Sequence, residues 1–158
     1  MKSFTLAAFS AERRAAAITC FSGLQLHDTC IRHLPVDPIK AMGSVRELIT
    51  RTLEHHRPEF LAIATPSVNA GARVHDLCKA AREIATELGI PWQDVSEEAL
   101  LKAYGEPPLK RKEHVRKVGR TLWPSINDAN AKRASVDSAI VGLYLQTERL
   151  FSRYGVEA

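Results

Sequence analysis

Residues 4–33 read FTLAAF-SAERR-AAAITCF-SG-LQLHDTCIRH, and three extended segments follow from them. Phe4–Phe9 is a short apolar run suited to a buried strand, and Ala15–Phe21 is a second of the same kind. Ser22-Gly23 is a hairpin signal between Ala15–Phe21 and Leu24–His33. With Ser22-Gly23 as a two-residue turn, residues whose numbers sum to 45 face each other. Cys20 and Cys30 then lie on opposite sheet faces and cannot bridge. Three cysteines without metal-site spacing, Cys20, Cys30 and Cys78, read as reduced thiols of a cytoplasmic protein.

Beyond this hairpin the pattern changes to alternating helix and strand. Asp37-Pro38 reads as an N-cap and first helical residue, opening a helix with Ile39, Met42, Val45, Ile49 and Leu53 on one side. That helix ends near Arg57, because Pro58 disfavours helical geometry just before itself. Phe60–Ala64 is a compact strand, and Ala72–Leu88 an amphipathic helix closed by Gly89. Ile90–Val95 is a short strand, and Ser96-Glu97-Glu98 starts a helix that stops at Gly105. Lys110–Trp123 reads as a basic helix and Ser135–Arg153 as a long final one, with Val136, Ile140, Leu143, Thr147 and Leu150 inward. The expected core includes Leu6, Ile18, Leu61, Ile63, Leu77, Ile84, Ile140 and Leu143. An antiparallel start followed by strand–helix alternation predicts an α/β fold: a mixed five-stranded sheet, its first three strands antiparallel, with helices on both faces. No repeat, linker or low-complexity tract divides the chain, so residues 1–158 are expected to form a single domain.

At 158 residues, 45% apolar and 25% charged, the composition suits a globular protein rather than a disordered or fibrous one. No signal-peptide pattern is expected at the N-terminus, and no stretch approaches the roughly 20 apolar residues of a membrane span. The net charge of +4 is uneven. Residues 1–101 carry 11 basic and 12 acidic side chains, and residues 102–158 carry 11 and 6. A basic second half points to phosphate-bearing partners. Lys110, Lys112, Arg116 and Arg120, joined by Lys132 and Arg133, are the expected nucleic-acid contacts. Lys112, Arg116 and Arg120 are four apart and share a helix face. The alternative is a solvated charged face. Few aromatic residues interleave the run, which favours phosphate contacts over base stacking, to DNA or RNA.

Three segments late in the chain resemble the RuvC-type Holliday-junction resolvases of the ribonuclease H-like superfamily. Ser96-Glu-Glu-Ala-Leu-Leu-Lys102-Ala-Tyr-Gly105 is similar to that family's Ser-Pro-x-x-Val-Lys…Gly segment, with Glu97 where Pro is usual. Lys112-Glu-His-Val115 resembles its Lys-Glu-x-Val helix start, and Ala134-Ser-Val-Asp137-Ser-Ala139 its Asp-x-x-Asp-Ala motif. The order of strands and helices also matches, over nearly the whole chain. The resemblance implies a two-metal nuclease site in which carboxylates hold paired Mg²⁺ ions. Carried over, the first-strand Asp falls at Phe9 or Ser10, the fourth-strand Glu at Ala64 or Thr65, and the first acid of the last motif at Ala134. Only Asp137 matches a family acid. No catalytic residue or cofactor is therefore assigned, and the chain is expected to be a catalytically degenerate, RuvC-like domain. It would bind structured nucleic acid or act as an assembly module.

Two rivals follow from the same residues. Relocated acids (Glu12, Asp94 and Asp137 together, with Asp28 also considered) would restore a Mg²⁺-dependent nuclease. A homodimer without a nucleic-acid partner is the other, since resolvases of this type pair through helices. Asp94, Glu97 and Glu98 also fit as acids near a helix N-terminus, and Asp137 as an acid in the first turn of the last helix, each complementing the helix dipole. His55-His56 suit a helix C-terminus for the converse reason. Gly71-Ala-Arg73 opens a helix whose free N–H groups suit an anion. No zinc spacing, Gly-x-Ser-x-Gly elbow or nucleotide P-loop is present.

Overall fold

Side chains of Thr5–Ala11 (β1) alternate between two buried faces, and each face is covered by different helices. The computed structural model describes residues 4–66, 69–104 and 133–153. Within them β1 is followed by β2 (Ala15–Ser22), β3 (Gln25–His33), α1 (Pro38–His56), β4 (Phe60–Ala64), α2 (Ala72–Glu87), β5 (Trp92–Val95), α3 (Glu97–Tyr104) and α4 (Arg133–Arg153). The five strands form one sheet in the order β3-β2-β1-β4-β5. β1, β2 and β3 pair antiparallel, while β4 and β5 run parallel to β1. This is the mixed sheet that the early hairpin and later alternation predict. The expected basic helix Lys110–Trp123, with Lys110, Lys112, Arg116 and Arg120, and Lys132 after it lie outside the described residues.

One core layer joins Ala7, Phe9, Ile18, Leu61 and Ile63 of the sheet to Val45 and Ile49 of α1 and Leu77 and Ile84 of α2. The other joins Leu6, Ala8, Phe21 and Ala62 to Ile140, Val141 and Leu145 of α4 and Leu100 of α3. Each large apolar side chain removed from water contributes about 1.5–3 kcal/mol. Central strands buried on both sides explain why β1 and β2 read as continuous apolar runs rather than alternating ones.

Local capping follows the sequence closely. Asp37 caps α1 by accepting from the Ile39 and Lys40 amides at 2.9 and 3.4 Å, and Pro38 takes a first-turn position where no donor is needed. Arg57 ends α1 at φ 44°, its amide bonding Leu53 O. Ser96 Oγ accepts from the Ala99 amide at 3.1 Å, and Glu97 and Glu98 fill the first turn of α3.

Five expectations need correction. The hairpin turn is Gly23-Leu24, because Ser22 pairs Gln25, and the register shifts again between Cys20 and Phe21. Gly23 takes φ 58°, as the first central position of a type II′ turn requires. Cys30 consequently pairs Ile18 and lies on the same face as Cys20, although both thiols are free. Ile39 is 83% exposed, since the buried side of α1 begins at Ala41. On α4, Leu143 is only partly buried, and the face toward the sheet carries Ser138, Gly142, Leu145 and Gln146. Strand β5 begins at Trp92 rather than Ile90.

Candidate functional site

The carboxyl ends of β1 and β4, on the face covered by α4, are where the resemblance locates its acids. Register and alternation fix what stands there. Leu6, Ala8 and Ser10 share one side of β1, and Phe60, Ala62 and Ala64 share the same side of β4. Phe9 points the other way, into the α1 and α2 layer. Ser10 is therefore the β1 residue that meets this site, and it is buried.

Helix α4 runs antiparallel to β1 across this face. Ser138 Oγ lies 2.6 Å from Thr19 Oγ1, Gly142 sits against Phe21 and Ala8, and Gln146 Nε2 donates to Phe4 O at 2.8 Å. The N-terminal turns of α4 thus stand over the strand ends that carry Ser10 and Ala64. Asp137, one residue before Ser138, is 5% exposed there. It is the fifth residue of α4 and not in its first turn, because the helix begins at Arg133, two residues earlier than expected. The first-turn dipole explanation for Asp137 is accordingly replaced by burial on α4.

Asp94 does not join this site. Parallel pairing sets it beside Ile63, on the α1 and α2 face, and Arg82 of α2 binds its Oδ1 through Nη2 at 3.1 Å and Nε at 3.2 Å. A relocated set of Glu12, Asp94 and Asp137 is therefore split by the sheet. Glu12 lies one residue beyond β1, with Oε1 buried and without a hydrogen-bond partner among the described residues. Asp28 is on β3, where His56 Nε2 lies 3.3 Å and Cys30 Sγ 3.7 Å from its Oδ2. His56 thus pairs with an acid at the end of α1, beside His55.

Among the described residues, no three His, Cys, Asp or Glu side chains come together as metal ligands. Paired Mg²⁺ ions need several hard oxygen donors, and Ser10, Ala64 and Asp137 offer one carboxylate. Ala134 adds no donor. The donor set does not fit the two-metal group that the resemblance implies.

Burial, with Asp28 and Cys30 nearby, pushes the Cys20 thiol up to about 12, and burial also raises Cys30. Neither thiol is suited to nucleophilic work near neutral pH. No helix among the described residues is long and apolar enough to cross a membrane. A cluster not foreseen as a unit is Arg13, Arg14 and Arg73, which line one cleft. The Arg13-Arg14 doublet at a hairpin tip was the available signal.

No protein-family model matches the chain, and no curated protein matches it significantly in sequence. Solved structures do match. The structure of Thermus thermophilus RuvC superposes with a TM-score of 0.73 at 15% identity, covering 97% of this chain and 98% of that one. T. thermophilus RuvC in complex with a Holliday junction substrate gives 0.70 at 15%, with 96% of each chain covered. Fowlpox virus resolvase in complex with Holliday junction DNA gives 0.62 at 10%, covering 93% and 99%. The chain has the fold of the RuvC-type Holliday-junction resolvases, a ribonuclease H-like mixed sheet flanked by helices on both faces.

Proposed function

We propose that this protein binds branched or otherwise structured nucleic acid and does not hydrolyse it at a two-metal site. The observation that carries this reading is the filling of the α4-facing strand ends by Ser10 and Ala64, which leaves Asp137 as the one carboxylate of the set. The fold supports the nucleic-acid part, since two similar structures hold Holliday junctions. Lys110, Lys112, Arg116, Arg120, Lys132 and Arg133 supply the phosphate contacts, with little reading of bases. On this reading the protein works in the cytoplasm, where its thiols stay reduced, and pairs as a homodimer.

The test uses a labelled four-way DNA junction with Mg²⁺ or Mn²⁺. Binding without cleavage above a buffer control is expected, with a log–log salt slope of about −0.9 per phosphate contact. Replacing Lys112, Arg116 and Arg120 by Gln flattens the slope by roughly two to three units and leaves thermal stability nearly unchanged. Cleavage that disappears in Asp137→Asn overturns the non-catalytic reading. Absence of binding by the unaltered protein overturns the nucleic-acid reading in favour of a structural dimer.

A further inference from the structure

Opposite the α4 face, at the same end of the sheet, three arginines from two distant segments converge. Arg13 and Arg14 occupy the β1–β2 turn, and Arg73 is the second residue of α2. They line one open cleft of about 750 Å³ with Gly71, Val36 and Pro38. Two of the arginines are held in place by backbone. Arg14 Nε donates to Leu34 O at 3.2 Å, and Arg73 donates through Nη1 to Val36 O at 2.9 Å and through Nη2 to Pro35 O. These bonds satisfy carbonyls of the β3–α1 loop without neutralising the charge, and among the described residues no acidic side chain lines the cleft.

Donors remain for a ligand. The Arg13 and Arg14 side chains are both exposed, and the side-chain bond of Arg14 to Leu34 O uses Nε alone. The start of α2 adds positive potential in the same direction, because Gly71 offers no capping side chain and the first turn holds no acid. An uncompensated arginine group in a cleft selects an anion, and the planar guanidinium suits phosphate oxygens. The cleft is larger than a single phosphate needs. Its apolar wall includes Val36, which is 68% exposed although the residue is fully apolar. Sugar carbons adjoining a phosphodiester would cover that wall.

We infer that the Arg13/Arg14/Arg73 cleft binds the sugar-phosphate backbone of the nucleic acid, as a contact separate from the basic stretch after residue 105. This rests on the proposed nucleic-acid function and extends it to the α1 and α2 side of the sheet. Strand carboxyl ends are where ligands gather in open α/β sheets, and the cleft lies at those of β1 and β4.

The experiment pairs a salt titration with amide NMR mapping, using the full chain and a labelled four-way DNA junction. Arg13→Gln is the primary variant, because Arg13 is exposed and, unlike Arg14 and Arg73, bonds no backbone carbonyl among the described residues. It should weaken junction binding several-fold at low salt and reduce the slope by about 0.9, the value for one lost phosphate contact. Junction addition to the unaltered protein should shift the amides of residues 71–74. Arg73→Lys, with its melting temperature measured alongside, should weaken binding while the protein stays folded. Junction binding with an unchanged slope in Arg13→Gln and unmoved amides at 71–74 overturns this inference and leaves the function standing. Failure of the unaltered protein to bind the junction overturns both.

Discussion

Thr19 and Ser138, 119 residues apart in sequence, bring their hydroxyls to 2.6 Å in the buried layer between sheet and last helix. Thr19 also lies 3.3 Å from Thr29 on β3, so a short polar row crosses the sheet under α4. Removing one partner of a buried hydrogen bond costs about 1–3 kcal/mol when the other is left unsatisfied. Ser138→Ala should lose about 1 kcal/mol, because Thr19 keeps Thr29, and Thr19→Val should lose more. Denaturant titration of both singles and the double mutant measures this. Additive losses, with no coupling, would show that the pair contributes nothing of its own.

Gly142 is required by contact rather than by backbone conformation. A Cβ there would lie 2.9 Å from Phe21 Cδ2 and 3.1 Å from Ala8 Cβ, with Phe21 Cε2 nearer still. Phe21 is itself buried and has little room to retreat. Gly142→Ala should therefore destabilise by about 1–3 kcal/mol, despite the better helix propensity of Ala. Adding Phe21→Leu should recover part of that loss. A Gly142→Ala protein as stable as the parent would refute the close approach.

Asp94 and Arg82 form a half-exposed ion pair on the face away from Asp137. Asp94→Asn should change stability by less than about 1 kcal/mol. It should also leave junction binding unaltered. A nuclease activity that depended on Asp94 would contradict its separation from Asp137 by the sheet.

Asp137→Asn should lower stability measurably, by about 1–3 kcal/mol, because the buried carboxylate is engaged in an interaction on α4 that a neutral amide weakens. An effect of only a few tenths, the size of a surface contact, would show that the buried carboxylate contributes nothing beyond its charge. Thermal melting at matched pH reads the difference.

The Cys20 thiol gives a pH prediction of defined sign. Its folded value of about 12 lies above the ordinary 9.0, so the unfolded chain loses its proton first as pH rises. The stabilisation is complete below pH 9 and is lost between about 9 and 12, at roughly 1.4 kcal/mol per pH unit. Cys20→Ala should make the alkaline decline shallower by that amount. Identical slopes for the two proteins would show that Cys20 ionises freely in the folded state.

Much of this architecture could be read from residue patterns, because the signals were local and strong. Asp37-Pro38, Arg57-Pro58 and Ser96 with its two glutamates act within a few residues, and the helices they bound appear where expected. Register was harder. Ser22-Gly23 and Gly23-Leu24 are equally short turns, and only the bulge at Cys20/Phe21 and the tertiary packing of Phe21 choose between them. On α4 the expected inward face holds at Ile140 and fails at Leu143, for a related reason. Its sheet side mixes Ser138, Gly142 and Gln146 with Leu145, and buried polar or small residues leave no apolar stripe to count. The site was legible as a set of replaced acids, but the choice of Ser10 over Phe9 needed the strand alternation. Nor could spacing reveal that Asp94 and Asp137 sit on opposite sides of a sheet.

The same geometry imposes an order on folding during synthesis. Leu6, Ala8, Phe21 and Ala62 are made early, yet their cover includes Ile140, Val141 and Leu145 of the last helix. At about 5–20 residues per second, the gap between Val95 and Leu145 leaves one face of the sheet without α4 for about 3–10 s. The α1 and α2 layer can close first, so the nascent chain passes through a one-sided sheet with an apolar face open to water. That interval is when the protein is most exposed to chaperones and to its own neighbours on the polysome.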